Sequence, residues 1–418
     1  METKSRIDFI ALFLFVAITC IGIASVYSAT SEAGAFTLLE GRSGKQIMWF
    51  GVSVFLGIII FILNAQFFEA FSIYIYIALM LLLVAVLFIG ADINGARSWI
   101  RIGSFSLQPS EFAKYGTAFA ISSILSTIGF SWEKKADILK IAAIVLIPMG
   151  LIVLQGDTGS ALVFLSFFIV FYREGLTPNI LVLGIAAIVI FVLTLVFGSL
   201  AFSIGTVLCL LVFYAFTYTN KKVLLPSIAI AAVVILFSLS VQFLFDNVLQ
   251  SHQQKRIQVT LNLIEDNQGA GYNVNQSKIA IGSGGFSGKG FLNGSHTKGD
   301  FIPEQETDFI FCTIGEEGGW VLSSITILLF VLLVLRLFHL AGRAKKKFKR
   351  IFIYSLASII FFHLMVNVGM TIGLMPVIGI PLPLISYGGS SILAFGIFIF
   401  TALKLDASRV YDLQSHYI

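Results

Sequence analysis

Charged residues and cysteines are both scarce in this chain. Only 12% of its 418 residues are charged and three are cysteines, whereas 57% are hydrophobic and the mean hydropathy is +0.95. Cys20, Cys209 and Cys312 lie far apart in or beside apolar runs, so the sequence offers neither a disulfide framework nor a cysteine metal site. The five histidines lack metal-ligand spacing, which argues against zinc. Basic residues interleaved with aromatics in a polar groove are also missing, which argues against nucleic-acid binding.

Long apolar runs are what the chain has in abundance. Runs of about 18 to 22 residues recur along it, the length that an α-helix needs to cross roughly 30 Å of hydrocarbon. The sequence therefore predicts an all-α polytopic membrane protein with about twelve spans. The first run lacks a clear cleavage signal and is predicted to be a retained span. The predicted spans are 8–28, 47–64, 71–90, 111–128, 139–155, 158–172, 179–198, 202–219, 223–245, 309–340, 351–373 and 390–405.

Basic residues predict the orientation of these spans. A basic run covers 343–350, and further basic residues fall at 134–135, 173 and 221–222, in loops of the same parity. By the positive-inside rule these loops and both termini are cytoplasmic. Polar stretches at 91–111, 155–160, 246–308 and 374–391 then meet on the outer face. The stretch 246–308 is the longest, and its amphipathic pieces 274–281 and 286–292 predict a loop that folds onto the membrane surface beside a site.

Carboxylates are concentrated at the end of this long loop. Asp300, Glu304, Glu306 and Asp308 directly precede the apolar run 309–340. A carboxylate at the edge of a membrane-buried helix is costly unless it is paired, hydrated or used, which predicts a functional site. For Asp308 the alternative is a helix N-cap whose carboxylate accepts backbone N–H groups. For Asp300 the alternative to binding a cation or an acceptor is a solvated loop residue.

Six motifs, in this order along the chain, resemble the signature of the SEDS family, the shape, elongation, division and sporulation proteins. The resemblance extends from about residue 40 to about residue 395, and the short tails and the segments near 288–305 resemble the elongation branch more than the division branch. The motifs are Asn94-Gly-Ala-Arg-Ser-Trp-Ile, Gln108-Pro-Ser-Glu-Phe-Ala-Lys, Gly156-Asp-Thr-Gly-Ser, Gln276-Ser-Lys-Ile-Ala-Ile-Gly-Ser-Gly-Gly, Pro303-Glu-Gln-Glu-Thr-Asp-Phe-Ile-Phe and Pro381-Leu-Pro-Leu-Ile-Ser-Tyr-Gly-Gly-Ser.

The resemblance implies a peptidoglycan glycosyltransferase that polymerises lipid II, an undecaprenyl-pyrophosphate-linked disaccharide peptide, at the outer face of the bacterial cytoplasmic membrane. It implies a class B penicillin-binding protein as a transpeptidase partner, together with other membrane proteins of the elongation complex. Family members are expected to have ten spans. Residues 176–222 are therefore predicted to form an inserted helical hairpin within a single membrane domain of residues 1–418, whereas the alternative is that some of these runs lie flat or break within the membrane.

The resemblance also implies that Asp308 is the catalytic residue, and the chemistry agrees. A sugar hydroxyl is a poor nucleophile at neutral pH, and a positioned general base contributes about 10² to 10⁴ in rate. One base and no covalent intermediate predict a single displacement with inversion. Glu306 stands where many relatives have histidine, so an obligatory role for it is not expected.

A pyrophosphate leaving group gains negative charge, which fixed cations would stabilise. The predicted outer face carries cations that the positive-inside rule leaves unexplained: Lys45, Arg97, Arg101 and Arg256. Arg256 ranks first because it aligns with a family arginine at the start of the long loop. The alternative for each is interfacial snorkelling toward lipid headgroups. A divalent cation, Mg²⁺ or Mn²⁺, is a further candidate at the pyrophosphate, although no dedicated ligand set is visible.

Other polar residues of the motifs have two interpretations each. Glu111 and Lys114 are three apart on a predicted helix and are expected to form an ion pair, either as a clamp between helices or lining the substrate cavity. Asp157 is expected to be a helix N-cap that also could line the cavity. Trp99 is either an interfacial aromatic or a platform for a sugar.

Gln276 and Ser277 could hydrogen-bond sugar hydroxyls, while the surrounding glycines allow close backbone approach. Two rival functions use the same polar residues: a lipid II flippase, which needs no base, and an ion-coupled transporter, which would use Asp308, Glu111 and Lys114 as a relay. Transport predicts ionisable groups through the midplane and internal repeats. The charges here cluster toward the outer rim, which favours surface chemistry.

Overall fold

The structure is a computed structural model that describes residues 7–31, 41–93, 96–103, 105–217, 221–247, 249, 251–261, 263–264, 270–299 and 301–409. Helices account for most of these residues, as the apolar runs predict. The chain divides into two compact units. The first comprises Met1–Gly175 and Asn273–Ile418, and the second comprises Leu176–Tyr272.

The first unit begins with helices separated by one small sheet. The helices are α1 (Phe9–Thr30), α2 (Gly41–Ile62), α3 (Ala65–Ile89), α4 (Pro109–Leu125), α5 (Lys135–Leu154), α6 (Thr158–Leu162) and α7 (Phe167–Arg173), with a 3₁₀ turn at Val163–Ser166. Strands β1 (Ala91–Ile93), β2 (Ala96–Ile102) and β3 (Phe105–Leu107) pair antiparallel in that order. This sheet falls in the polar stretch predicted at 91–111. The sequence did not predict it, because such short strands carry no strong period-two pattern.

The second unit is helical in the part that the structure describes. Its helices are α8 (Pro178–Phe197), α9 (Ser199–Thr217), α10 (Lys221–Asn247) and α11 (Ser251–Thr260). Helix α10 packs on both α8 and α9, and a buried hydrogen bond of 3.0 Å joins Thr194 to Ser238. Helices α8 and α9 run without an internal break and meet at Gly198, whose φ of +80° separates them. That these residues are an inserted hairpin stays a prediction.

The chain then returns to the first unit. Helix α12 (Ala270–Ser283) is followed by α13 (Ser295–Lys298), α14 (Ile310–Arg343), α15 (Lys347–Thr371) and α16 (Gly389–Ala407). The long loop predicted at 246–308 therefore contains helices of its own. Its amphipathic piece 274–281 lies within α12, whereas 286–292 forms turns rather than a helix.

Ten helices in the described ranges are long and apolar enough to cross a membrane, which confirms the polytopic all-α class. They are α1, α2, α3, α5, α8, α9, α10, α14, α15 and α16. The two other predicted spans correspond to α4, which has 17 residues, and to the run Thr158–Arg173. That these two segments also cross the membrane, which would give about twelve spans, stays a prediction. Helix α2 begins at residue 41 rather than 47, because Arg42, Lys45 and Gln46 lower the local hydropathy of its first turns.

Helices α15 and α16 form the centre of the first unit. They are mostly buried, whereas only 22% of the apolar stretch of α2 and of α3 is buried. Helix α14 packs on α15 and α1, α2 packs on α16, and α4 packs on both α3 and α15. Between α4 and α15, Phe119 and Phe352 lie with ring centroids 4.5 Å apart. The motif loop at 374–391 thus joins the two most buried helices of the first unit.

Ion pairs fasten one end of this unit. Asp8 is the N-cap of α1, where its carboxylate accepts the Ala11 amide at 2.9 Å. The same carboxylate accepts two hydrogen bonds from Arg336 of α14, at 2.6 and 3.1 Å. Arg343 bridges Asp8 to Asp406 of α16. Three helices that are distant in sequence are therefore joined by charge at this end.

Candidate functional site

A turn directly before α14 positions Asp308. Glu304 adopts a φ of +56°, and its carbonyl oxygen accepts the amides of Thr307, Asp308 and Phe309 at 3.1 to 3.2 Å. Phe309 occupies the N-cap position of α14, so the helix begins one residue later than the N-cap alternative for Asp308 requires. Asp308 is partly exposed, whereas Phe309 and the next residues of α14 are buried. The turn therefore fixes a carboxylate at the edge of an apolar helix.

The proline-rich loop between α15 and α16 donates hydrogen bonds to the backbone carbonyl groups of this turn. The Tyr387 amide donates to the Glu306 carbonyl at 2.8 Å, and the Ser386 hydroxyl donates to the Thr307 carbonyl at 2.6 Å. Asn367 of α15 is fully buried, and its Nδ2 donates at 2.8 Å both to the Asp308 carbonyl and to the carbonyl of Ile380. Three consecutive carbonyl groups, those of residues 306, 307 and 308, are thus held by this loop and its supporting helix.

The Asp308 carboxylate itself lies beside Gly379 of that loop. A β-carbon added to Gly379 would lie 3.2 Å from Asp308 Oδ2, and the glycine has a φ of +75° that other residues rarely adopt. Gly159 in α6 is also close to this loop, because a β-carbon there would meet the Ile378 carbonyl oxygen at 2.6 Å. Gly379 therefore allows the loop to pass beside Asp308, and Gly159 allows α6 to pack against the same loop.

A row of buried polar side chains, Glu111, Lys114 and His363, connects α4 to the same loop. Lys114 Nζ lies 2.7 Å from Glu111 Oε1 and 3.0 Å from His363 Nε2, and the Lys114 and Glu111 side chains are each 2% exposed. His363 Nδ1 lies 3.0 Å from the Pro381 carbonyl oxygen. Because an ammonium only donates and a carbonyl only accepts, His363 carries its proton on Nδ1. The predicted ion pair is confirmed and its geometry fits a clamp between α4 and α15, while its contact with substrate stays a prediction.

Asp157 is the N-cap that its sequence context predicts. Its Oδ1 accepts the Ser160 amide at 2.9 Å, and its Oδ2 accepts a hydrogen bond from Gln108 Nε2 at 3.0 Å. The Gln108 amide in turn donates to the hydroxyl of Ser390, which donates to the Ser106 carbonyl. Three motifs, around residues 108, 157 and 390, are therefore joined by direct hydrogen bonds.

The basic residues predicted to bind pyrophosphate are exposed, unlike the buried Lys114. Lys45 lies on the first turns of α2, and Arg97 and Arg101 lie on β2, where the Arg97 amide donates to the Gln155 carbonyl at 2.8 Å. Trp99 is half-buried on the same strand. Arg256 is exposed on α11 of the second unit. Their contact with a substrate stays a prediction.

The polar residues of α12 differ in accessibility. Ser277 is fully buried and its hydroxyl donates to the Thr371 carbonyl at 2.9 Å, which ties α12 to the end of α15. Gln276 is half-buried on the same helix. Of this pair, Gln276 is the better placed to reach a sugar. Asp300 lies outside the described residues.

Sequence reasoning missed two contacts that α2 makes with the site. Arg42 forms an ion pair with Glu306 and lies 5.9 Å from the Tyr387 ring centroid. Gln46, one turn later, is buried and donates to the Ile385 carbonyl at 3.2 Å. Burial raises the pKa of Tyr387, and the charge of Arg42 acts in the opposite direction. Polar residues four apart at the start of an apolar helix were the available signal.

Glu316 and Glu317 were also missed, although adjacent carboxylates inside an apolar run are a strong signal. Glu316 is fully buried and accepts hydrogen bonds from Lys289 Nζ at 2.6 Å and from the amide and hydroxyl of Thr297 at 2.7 Å. Glu317 accepts a hydrogen bond of 2.5 Å from Ser28. Two residues after Glu317, α14 is interrupted at Gly319, whose φ is +62°. These carboxylates fasten the segment 285–297 against α14.

Among the residues that the structure describes, no three His, Cys, Asp or Glu side chains lie close enough to hold a metal ion. The turn before α14 presents Asp308, which is partly exposed, and Glu304, which is exposed. Mg²⁺ is commonly bound by one or two carboxylates plus substrate phosphates, so the described residues fit a cation that arrives with a phosphorylated substrate better than a resident one.

Comparison with known proteins gives consistent matches. The model of the cell cycle protein family that includes FtsW, RodA and SpoVE matches residues 6–204 and 179–409. The peptidoglycan glycosyltransferase RodA of Treponema pallidum is 32% identical over 413 residues, covering 93% of this chain and 94% of that protein.

Solved structures agree with these sequence matches. A chain of a peptidoglycan synthase complex, described for its structural coordination of polymerization and crosslinking, has a TM-score of 0.71 at 28% identity, covering 97% of this chain and 98% of that one. The crystal structure of the rod shape determining protein RodA of Thermus thermophilus has a TM-score of 0.62 at 26% identity, with the same coverage.

Proposed function

Because this chain belongs to the cell cycle protein family that includes FtsW, RodA and SpoVE, we propose that it is a peptidoglycan glycosyltransferase that polymerises lipid II during cell elongation. The observation that carries this proposal is the partly exposed Asp308 at the edge of α14, in a turn whose backbone is held by Asn367, Ser386 and Tyr387. General-base catalysis requires a carboxylate in a fixed position, and the hydrogen bonds to this turn support that role for Asp308.

Asp308 is the general base in this proposal. Its carboxylate takes the proton of the acceptor sugar hydroxyl while that oxygen forms a bond to the anomeric carbon of the donor. The bond from the anomeric carbon to the lipid pyrophosphate breaks in the same step, so the configuration inverts. Fixation of the Asp308 backbone limits the carboxylate to a narrow range of positions, which is the condition for efficient general-base catalysis.

The departing pyrophosphate needs positive charge and hydrogen-bond donors. The exposed Lys45, Arg97 and Arg101 in the first unit and Arg256 in the second are the candidates in the described part of the chain. A divalent cation bound by the pyrophosphate would add Lewis-acid stabilisation of the leaving oxygens. Glu304 and Asp300 stay secondary candidates for contact with the acceptor.

The protein is a multi-pass membrane protein. We propose that the basic run 343–350 and both termini are cytoplasmic and that Asp308 is extracytoplasmic, in agreement with the positive-inside rule. The helical hairpin within 176–222 is proposed to be an insertion into a ten-helix core. The overlap of the two family matches at residues 179–204 supports extra length at this position.

The partner proposed for this chain is a class B penicillin-binding protein, whose transpeptidase would crosslink the glycan strands as they form. The similarity to a chain of a peptidoglycan synthase complex that coordinates polymerization and crosslinking supports such a pairing. Other membrane proteins of the elongation complex would associate with this pair.

Polymerisation of lipid II by the purified chain together with its penicillin-binding partner tests the proposal. Asp308→Asn keeps the size of the side chain but removes the base, so we expect the rate of glycan synthesis to fall by about 10² to 10⁴. Asp137→Asn makes the same substitution in a surface ion pair at the start of α5 and should leave the rate unchanged. Full glycan synthesis by Asp308→Asn would contradict the general-base role. A wild-type protein that makes no polymer but moves lipid II across vesicle membranes would favour the flippase.

A further inference from the structure

The turn that carries Asp308 has a second anchor, made by the side chain of Gln305. This glutamine lies three residues before Asp308 and is only 2% exposed. Its Nε2 donates to the Thr313 hydroxyl of α14 at 3.1 Å and, over a longer 3.4 Å, to the Thr297 carbonyl of α13. These contacts are separate from those that α15 and the proline-rich loop make with the carbonyl groups of residues 306–308.

Packing alone does not explain a glutamine at this position. Gln305 Oε1 is buried and has no hydrogen-bond partner in the described part of the chain. Burying a polar group without a partner is costly, so an apolar side chain of the same length would be more stable here if only the filling of space mattered. The amide is oriented by the Thr297 carbonyl, which only accepts, so Nε2 must face it. The function of Gln305 therefore lies in its two donated hydrogen bonds.

Thr297 is fixed in turn by Glu316. The Glu316 carboxylate is fully buried on α14 and accepts hydrogen bonds from Lys289 Nζ at 2.6 Å and from the His296 amide at 2.9 Å. The amide and the hydroxyl of Thr297 both donate to it at 2.7 Å, and the Ser295 hydroxyl donates at 3.3 Å. A carboxylate that accepts from several directions cannot rotate without losing bonds, so it fixes α13 against α14.

The helix α13 depends on this carboxylate. It has four residues, and its N-cap, Gly294, provides no side-chain hydrogen bond. So short a helix is not stable by itself, and its first amides need an acceptor, which Glu316 supplies. Gly294 leaves room for this contact, because a β-carbon there would lie 2.7 Å from Thr297 Oγ1 and 2.8 Å from Glu316 Oε2. The position of the Thr297 carbonyl therefore follows from Glu316.

We propose that Gln305 and Glu316 are positioning residues for glycosyl transfer. Glu316 fixes Thr297, and the Thr297 carbonyl with the Thr313 hydroxyl holds the Gln305 amide. Gln305 then fixes the turn from which the Asp308 carboxylate projects. Both residues act on the chemical step rather than on substrate binding. The inference rests on the general-base role proposed above for Asp308.

The test measures kcat and KM for lipid II polymerisation by the full chain with its penicillin-binding partner, together with thermal unfolding. Gln305→Met keeps the length of the side chain and removes the donor. We expect kcat to fall by about tenfold with little change in KM, because a displacement of about 1 Å costs up to about a hundredfold and the proline-rich loop still holds the turn. A wild-type kcat in Gln305→Met would overturn its positioning role.

Glu316 is tested through Thr297, because replacing the carboxylate itself would also disturb its other donors. Thr297→Val removes one hydrogen bond to Glu316 and should lower kcat by about threefold to tenfold, whereas Thr297→Ser keeps the hydroxyl and should keep most of the rate. Thr326→Val is the matched control, because the buried Thr326 hydroxyl donates only within α14, to the Leu322 carbonyl at 2.8 Å. Equal kcat in Thr297→Val and Thr297→Ser would overturn the part assigned to Glu316.

A double variant separates this inference from the proposed function. If Gln305 acts through the Asp308 carboxylate, adding Gln305→Met to Asp308→Asn lowers the residual rate no further. A further loss of about tenfold in the double variant would overturn the inference, because Gln305 would then act independently of the base. Low activity of Asp308→Asn beside a wild-type kcat in Gln305→Met would overturn the inference alone. Full glycan synthesis by Asp308→Asn would overturn the proposed general-base role itself.

Discussion

Asn367 is predicted to hold the turn that carries Asp308 in place, and Asn367→Leu tests this directly. The amide Nδ2 donates to the Asp308 carbonyl and to the Ile380 carbonyl, both at 2.8 Å, from a fully buried side chain. Leucine keeps the shape of the side chain but offers no donor. The turn before α14 and the loop before α16 then lose their shared connection.

The magnitude follows from the two hydrogen bonds. Each contributes about 0.5 to 1.5 kcal/mol net, and each buried carbonyl left without a partner adds to the cost, so we expect about 2 to 4 kcal/mol in total. If about half of this free energy positions Asp308 in the transition state, kcat falls by about fivefold to thirtyfold, because each 1.36 kcal/mol corresponds to a factor of about ten. The remainder appears as lower thermal stability.

The assay is lipid II polymerisation at saturating substrate, together with thermal unfolding of the same preparation. Ser355→Ala is the matched control, because Ser355 is a buried polar residue of α15 whose hydroxyl donates only within its own helix, to the Ile351 carbonyl at 2.9 Å. It should change stability slightly and leave kcat unchanged. An Asn367→Leu protein that is less stable but keeps the wild-type kcat would refute the positioning role of Asn367.

Two further predictions concern buried charge. Lys114→Met leaves Glu111 uncompensated in the interior and should lower stability by about 3 to 5 kcal/mol, whereas adding Glu111→Gln should recover part of the loss; equal stability of the single and double variants in thermal unfolding would contradict the coupling. For Asp8, burial alone would raise the pKa, but the hydrogen bond from Arg336 and the charges of Arg336 and Arg343 hold the pKa below its usual value. This stabilisation is present above the unfolded-state pKa of about 3.9 and is lost as pH falls through the lower folded-state pKa. Asp8→Asn should therefore destabilise the protein at pH 7, and its difference from wild type should shrink as the pH falls below about 3.9.

Much of the fold was readable from the sequence because hydropathy is a local property. A run of apolar residues specifies a span without information from elsewhere in the chain, and ten of the predicted spans correspond to helices of sufficient length and apolarity. Boundaries were less accurate where polar residues such as Arg42 and Gln46 occupy the first turns of a helix. The three short strands at 91–107 had no comparable local signal.

The candidate site was predicted in part. The position of Asp308 at the edge of an apolar helix, the Glu111–Lys114 pair and the Asp157 cap were predicted because each depends on neighbours within a few residues along the chain. His363 was dismissed as one of several scattered histidines, and the structure places it against Lys114, 249 residues away in sequence. No spacing rule predicts such a pair.

The sequence by itself determined that this chain is a helical membrane protein, which stretches are polar, and that Asp308 stands at the edge of a span. Only the tertiary structure decided which groups support that carboxylate: the Asn367 amide, the Ser386 hydroxyl and the Tyr387 backbone amide reach its turn from 59 to 81 positions away. The physical reason is the range of the forces. Hydropathy and helix periodicity act along the chain, whereas hydrogen bonds and ion pairs are decided by the packing of helices that are distant in sequence.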